Sequence, residues 1–381
     1  MIKIAIDASR ARSGGAIAHL IGIIEELDIS LFEIGEIHIW AYKSLLNQLP
    51  KREWLFKHNS KYLEKKLPFQ IFFQTFKLSG EVKKNSCDIL FTLDAASTCR
   101  FTPMVTLSQD LLSYEKGLME DLKFGYDRIR LFFILYLQNK TFKNSNGVIF
   151  LTKYAGKLIQ QSCGHLFNSI VIPHGVDKIF KDFKYSTDFP LSTEKIKCIY
   201  VSPNFKYKHQ LNVASAIANL NKNGYNIELL FIGEGSPFWK NLLIQHINLL
   251  DPNKAFLKHI SHVENRKLPL YIRESNIFIF ASSCEAFGIT LLEGMSMGIS
   301  IACSNQSSLP ETLQDGGVYF NPEKIPEIEN SIEKVINNPK LRSVITSKSI
   351  ELSKNYTWKK CSDATFQFII ETHKKFKING K

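Results

Sequence analysis

Apolar runs alternate with amphipathic stretches along the chain, most legibly in its second half. IKCIYVSP (196–203), IELLFIG (227–233), AFLKHIS (255–261), NIFIFAS (276–282), ISIACSN (299–305) and VYFN (318–321) read as strands. Between them, HQLNVASAIANLNKNG (209–224) places Leu211, Ala214, Ile217 and Leu220 on one face and stops at a glycine, the pattern of a helix. PFWKNLLIQHINLL (237–250), ENRKLPLYIRES (264–275, despite Pro269), GITLLEGMSMG (288–298) and IPEIENSIEKVINN (325–338) read as helices too. Strands that are apolar throughout and alternate with helices imply a parallel sheet covered on both faces.

The first half repeats the theme less clearly. IKIAID (2–7), EIHIWAY (36–42), DILFTLD (88–94), MVTLSQD (104–110) and GVIFLT (147–152) read as strands. Ile17, Leu20, Ile21, Ile24 and Leu27 form a helical stripe, and IVIPHGVDKIF (170–180) closes the unit. The polar stretch KDFKYSTDFPLSTEK (181–195) reads as a linker. The tail YTWKKCSDATFQFIIETHKKFKING (356–380) starts with an aromatic pair and continues as an amphipathic basic helix. The chain therefore reads as two doubly wound α/β domains: residues 1–180, the linker 181–195, residues 196–355, and a C-terminal helix from 356 to 381 expected to pack back on the first domain.

At 381 residues the chain exceeds what one hydrophobic core usually serves, which agrees with two domains. The longest apolar runs fall short of the ~20 residues of a membrane-spanning helix. The N-terminus goes straight into a strand-like run, so no signal peptide is expected. Seven scattered cysteines, none in a C-x-x-C pair, suggest free thiols in a reducing cytoplasm. Net charge is +12, shared evenly between the halves. A basic balance suits phosphorylated or lipid partners but equally suits plain solubility. No nucleic-acid-binding motif is present, so no nucleic-acid partner is expected.

Ligands of open parallel sheets bind beyond the C-terminal strand ends. Six loops there carry polar residues: SRARSGG, SQDLLSYE, SPNFKYKHQ, GEGSP, SHVEN and SSCEAFG. In two facing domains they would line one cleft. The Gly288 turn opens a helix directly after a strand, and free amides plus the helix dipole make such an end an anion site. Glu293, about 7.5 Å further along at ~1.5 Å per residue, can accept hydrogen bonds from two ribose hydroxyls. Glu285, in the loop before the helix, reaches the far side of a bound phosphate, where a sugar hydroxyl is a natural partner. Spacing alone fits equally a loop-capping Glu285 and a solvent-facing Glu293; the small residues around Glu293 favour the ribose role. Lys206 and Lys208, between a strand and a helix, can neutralise a diphosphate or simply sit on a solvated turn. Gly14 and Gly15 would let a ligand approach the backbone or make an ordinary turn. No D-x-D, H-E-x-x-H or G-x-S-x-G is present, so no metal or other cofactor is expected.

These residues resemble the retaining GT-B glycosyltransferases of the large family four group. Glu285 and Glu293 within EAFGITLLEGMSMG, followed by SLPETLQDGG (308–317), resemble its E-x7-E signature. Gly14-Gly15 resembles its N-terminal glycine pair, IPHGVD (172–177) its interdomain segment, and Lys208 its phosphate-binding lysine. GEG (233–235) and SHVEN resemble its base-side loops. The resemblance covers nearly the whole chain and implies a GT-B fold: two facing Rossmann-like domains with the donor nucleotide sugar on the C-terminal one and the acceptor on the other. It implies that Lys208 and the amides of Gly288 and Ile289 stabilise the leaving phosphate. Glu285 would hold donor sugar hydroxyls, and Glu293 the ribose. Phe287, Asn204, Gly233 and Val263 would complete the donor side, and Gly14, Gly15 and Asp110 the acceptor side. Transfer would retain anomeric configuration by same-face attack, with the leaving phosphate oxygen taking the acceptor proton.

Two departures stand out. Where the family often has an arginine before the lysine, this chain has Pro203-Asn204, so Lys206 would have to compensate. Where many members have a histidine, it has Gln109-Asp110; this SQD form resembles enzymes of bacterial surface polysaccharides (O-antigen and capsule), and Asp110 reads equally as a turn cap. Residues 51–77 hold seven Lys/Arg against two acids, interleaved with Trp54, Phe56, Tyr62, Phe69, Phe72 and Phe73. The segment reads either as a membrane-surface element or as core aromatics. The expectation is a hexosyltransferase, mannose-like by loose resemblance, acting on a lipid-linked glycan at the cytoplasmic face of a membrane. The missing arginine keeps a catalytically degenerate nucleotide-sugar-binding scaffold as the alternative, and a sugar-nucleotide epimerase is a third reading.

Overall fold

The computed structural model describes residues 1–12, 14–118, 125–182, 189–190 and 194–379. It divides into two compact units: Met1–Gly175 with Thr357–Lys381, and Val176–Tyr356. The division falls at Gly175, ahead of residue 180, and much of the expected linker 181–195 lies outside the described residues.

The first unit runs β1 (Ile2–Asp7), α1 (Gly14–Glu25), β2 (Ile34–Trp40), α2 (Lys43–Leu46), β3 (Leu55–His58), α3 (Leu67–Phe76), α4 (Leu78–Lys84), β4 (Ile89–Thr92), β5 (Met104–Ser108), α5 (Tyr126–Asn144), β6 (Gly147–Phe150), α6 (Lys153–Cys163) and β7 (Ser169–Val171). Its seven strands are all parallel, in the order β3-β2-β1-β4-β5-β6-β7. Ile4, Ile6, Phe91, Val105 and Ile149 are fully buried, as a sheet covered on both faces requires. Residues 51–77 form β3, an irregular stretch and α3, with Pro68 in the first turn of α3, where its missing N–H is harmless.

The second unit runs α7 (Lys178–Asp182), β8 (Ile196–Val201), α8 (Gln210–Lys222), β9 (Ile227–Ile232), α9 (Pro237–Leu250), β10 (Leu257–Ile260), α10 (Leu268–Arg273), β11 (Ile277–Phe280), α11 (Ile289–Met297), β12 (Ser300–Ser304), α12 (Leu309–Leu313), β13 (Val318–Phe320), α13 (Ile325–Asn337) and α14 (Pro339–Ser353). Its strand order is β10-β9-β8-β11-β12-β13, again all parallel. Pro269 falls in the first turn of α10, so the helix forms despite it. The four-residue stripe Ile328, Ile332, Val335 and Ile336 is the buried face of α13.

The last helix, α15 (Trp358–Asn379), returns to the first unit. Ser362 Oγ donates to the Ile23 carbonyl at 2.7 Å, and Phe366 and Ile369 are fully buried. Gly22 and Gly147 leave room for it: a Cβ at Gly22 would overlap the Trp358 ring, and one at Gly147 would lie 2.9 Å from Phe368.

Candidate active site

In each sheet the strand order reverses direction once, beside the first strand. In the second sheet the reversal lies between β8 and β11, which pair through Ile277–Cys198 and Phe278–Ile199. Loops leaving the C-terminal ends of two such strands diverge and open a crevice, the usual ligand position in this architecture. The loop after β8 carries Lys208, and the loop after β11 carries Glu285.

These two loops are stitched together. Lys208 Nζ forms a short ion pair with Glu285 Oε1, and the lysine side chain is buried. The Ser283 amide donates to the Tyr207 carbonyl at 2.8 Å, and the His209 ring meets Ser283 Oγ at 2.9 Å. Tyr200 Oη donates to the Lys208 carbonyl at 2.6 Å. His209 holds φ of 50°, a left-handed conformation that costs a non-glycine residue about 1–2 kcal/mol, and the contact to Ser283 offsets that strain. On the other side, Ser307 brackets Glu285: its Oγ accepts from the Glu285 amide at 2.9 Å and donates to the Glu285 carbonyl at 3.0 Å. Lys206 lies exposed in the same short turn as Lys208.

Gly288 caps α11 with φ of 89°, and a Cβ there would sit 3.0 Å from Leu309. Glycine is the residue that turns the chain this way without strain. The first-turn amides that follow, beginning at Ile289, have no acceptor inside the helix and point where an anion is favoured. The Phe287 side chain is buried and packs edge-on to Tyr356 at 5.6 Å, so it faces a bound ligand through its backbone. Glu293 lies on α11 at 7% exposure, and its Oε2 has no hydrogen-bond partner. Burial, reinforced by the negative charge of Asp177, pushes its pKa up to about 8. A buried acid without a partner is costly, and hydroxyl donors remove that cost.

Two glycines of the β9 loop have a packing reason. A Cβ at Gly233 or Gly235 would overlap the backbone of Ser202 or Asn204, respectively. Asn204 is buried and donates to the Gly233 carbonyl at 3.1 Å, which locks the β8 and β9 loops together. Val263 sits half-buried in the loop after β10.

In the first sheet the reversal lies between β1 and β4. Here the structure assembles residues not singled out above. Gln74 of α3 donates from one amide nitrogen to Asp7 at 2.7 Å and to Asp94 at 3.2 Å. Asp94 also accepts from Arg10 at 2.6 Å. Asp7 ends β1 and is buried, which raises its pKa; Asp94 follows β4. Acids ending apolar strands were the available signal, but only strand order makes them neighbours. Gly14 and Gly15 lie inside the first turn of α1, where an added Cβ meets nothing, so no close packing demands them. Asp110 is exposed and accepts from the Leu112 amide at 2.9 Å, the turn-capping arrangement. Gln109 Oε1 is buried without a partner.

All seven cysteines are free and buried. Among the described residues no group of three or more His, Cys, Asp or Glu could hold a metal ion, and no helix is long and apolar enough to cross a membrane.

Residues 182–351 match the family described as glycosyl transferases group 1. The chain is similar to the O-antigen chain mannosyltransferase B of Escherichia coli, 25% identical over 127 residues, or 33% of each chain. It spans between a third and about half of the length of the curated relatives it matches. Among solved structures it is similar to the sucrose-phosphate synthase of Thermosynechococcus elongatus, with TM-score 0.79 and 14% identity over 97% of this chain and 99% of that one. It is also similar to Anabaena HepE in complex with UDP and glucose, with TM-score 0.72 and 18% identity over 96% and 99% of the two chains. The fold is thus GT-B.

Proposed function

From a chain that carries a glycosyl transferases group 1 domain over residues 182–351, we infer a retaining, metal-independent glycosyltransferase. It moves a hexose from a nucleoside diphosphate sugar to a growing glycan. The observation that carries this reading is the grouping at the β8–β11 reversal: a buried lysine on Glu285, an open helix N-terminus at Gly288, and the unpartnered Glu293 on the same helix. Cation and amides suit a diphosphate, and the acids on either side suit sugar and ribose hydroxyls. Lys208 and the α11 amides stabilise the charge that grows on the leaving phosphate. Once Lys208 turns to that phosphate, Glu285 is free for the donor sugar. A phosphate oxygen that takes the acceptor proton removes the need for a separate general base.

The similarity to an O-antigen mannosyltransferase supports mannose as the hexose and a lipid-linked surface polysaccharide as the acceptor. The acceptor side then belongs to the first unit, around Arg10, Asp94, Gln109 and Asp110. The protein works at the cytoplasmic face of the membrane, with residues 51–77 as its point of contact.

Thermal melting against UDP, GDP, ADP and CMP, each with and without magnesium, tests the donor site. A ligand at ~100 times its Kd adds about 2.7 kcal/mol of stability, several degrees in Tm for a domain of this size. One nucleotide stabilising equally with and without magnesium is the expected result. No shift from any nucleotide overturns the reading.

A further inference from the structure

The first sheet ends on β7, and no strand pairs with its outer side. Along a strand, successive residues turn their backbone N–H and C=O to opposite sides. The Asn168 carbonyl accepts from the Val148 amide at 3.0 Å, and the Ile172 amide donates to the Phe150 carbonyl at 2.8 Å, so these residues face β6. Ser169 and Val171 therefore present their backbone groups outward. Among the described residues nothing meets those amides and carbonyls. Each of the other three sheet edges has an outward group engaged. The Leu55 amide of β3 donates to the Arg52 carbonyl at 3.1 Å. The Leu257 amide of β10 donates to Asp251 at 2.8 Å, and the Tyr319 carbonyl of β13 accepts from Ser331 at 2.9 Å. Lysine and proline also guard exposed edges. β3 and β10 carry Lys57 and Lys258, whereas residues 167–172 include neither residue type.

Beside this edge lies a groove of about 630 Å³, open to solvent, between β7 and α6. Lys153 and Lys157, one turn apart on α6, belong to one wall, and Ser169 and Val171 to the other. His165 lines the groove and packs edge-on to Phe167, which is 95% exposed, at 4.9 Å. The surroundings are basic: residues 128–176 include no aspartate or glutamate. Glu115, an acid that α6 touches, is engaged by Tyr154, which does not line the groove. An open trough with cations on one wall and unpaired backbone on the other suits an extended chain with acidic side chains. A second copy of this chain suits it poorly, because a two-fold pairing would bring the same lysines to the same edge.

We propose that β7 is a docking edge that takes an extended, acidic segment of a partner protein as an added strand. Backbone bonds to Ser169 and Val171 hold the segment, and Lys153 and Lys157 select its acidic side chains. The test needs neither donor nor acceptor, so its result stands apart from the transferase reading. The probe is a blocked, fluorescently labelled peptide of alternating glutamate and valine, titrated with the full chain and followed by anisotropy. Saturable binding that weakens as salt rises is expected. The same peptide N-methylated at every amide keeps its charge, cannot donate, and should not bind. K153E/K157E should weaken binding about tenfold. V171P removes an outward amide and spares the bonds to β6, and should weaken binding at least about fivefold. Circular dichroism like the parent's shows that each variant folds; if V171P does not, the N-methylated peptide still tests the strand pairing. A parent protein that does not bind the acidic peptide overturns the proposal. So does equal binding of the N-methylated peptide or of a lysine–valine peptide, and so does light scattering that shows a dimer of this chain dissolved by V171P.

Discussion

The ammonium of Lys208 rests on the carboxylate of Glu285 across the point where the second sheet reverses its strand order. The two side chains hold each other. Neither is a buried unpaired charge, which would cost several kcal/mol. On the function proposed above, a donor diphosphate would take the place of Glu285 at Lys208, so the lysine would stay compensated throughout.

Lys208→Ala should therefore lower kcat by about 10²–10³-fold, the scale of losing one preorganised group that stabilises transition-state charge. Nucleotide affinity should fall much less, because the α11 amides remain. Transfer of labelled sugar to a membrane extract, measured beside nucleotide binding by calorimetry, separates the two effects. An unchanged kcat would remove Lys208 from the mechanism.

Glu293 makes a pH-dependent prediction. Its pKa is raised from the ordinary 4.5 to about 8, so the folded protein holds a proton that the unfolded chain releases. Its contribution to stability is fully present below pH ~4.5 and is lost as pH rises through about 8. Glu293→Gln mimics the protonated form, so its Tm should fall less than the parent's between pH 5 and 8.5. Above pH ~8, where the acid is ionised before binding, the same variant should bind nucleotide about 1–3 kcal/mol more weakly if the acid reads ribose. Parallel Tm curves would mean that Glu293 is ionised throughout, and an unchanged Kd would remove its ribose role.

His209 is a positioning residue: it touches Ser283, and the Lys208 turn is aligned through it. His209→Ala loses that contact and keeps the left-handed strain; His209→Asn loses the contact but tolerates the conformation. Both should lower kcat about tenfold or more while donor KM changes little, since small misplacements of catalytic groups are expensive. Asparagine should recover about 1 kcal/mol of stability relative to alanine and none of the rate. Recovery of rate along with stability would reduce His209 to a structural role.

The second sheet was legible in sequence because its strands are buried on both faces and read as unbroken apolar runs between helical stripes. Lys208 and Glu285 stood out as candidates because they follow such runs, and Glu293 because it lies eight residues beyond Glu285 on the next helix. The first sheet's site was not. Asp7 and Asp94 are 87 residues apart in sequence and meet only through the β1–β4 pairing. Ser307 and Ser283 act through backbone contacts that no side-chain pattern announces. The helix α5 escaped periodicity because Leu131, Phe132, Phe133, Ile134 and Leu135 are consecutive and apolar, which leaves no polar face to mark the turns. The α3 helix, which buries Gln70 and Gln74 beside Phe73 and exposes Phe69, Phe72 and Phe76, likewise departs from a rule that sends phenylalanine inward and glutamine outward.

The return of α15 to the first unit bears on biosynthesis. Chains usually fold domain by domain as they emerge, the N-terminal domain first. Here the wall that covers α1, including Phe366 and Ile369, is encoded after the whole of the second unit. The second unit, continuous from Val176 to Tyr356, is complete before that helix leaves the ribosome. The domain translated first is thus the domain finished last, and until then the apolar side of α1 must be shielded by whatever attends the nascent chain.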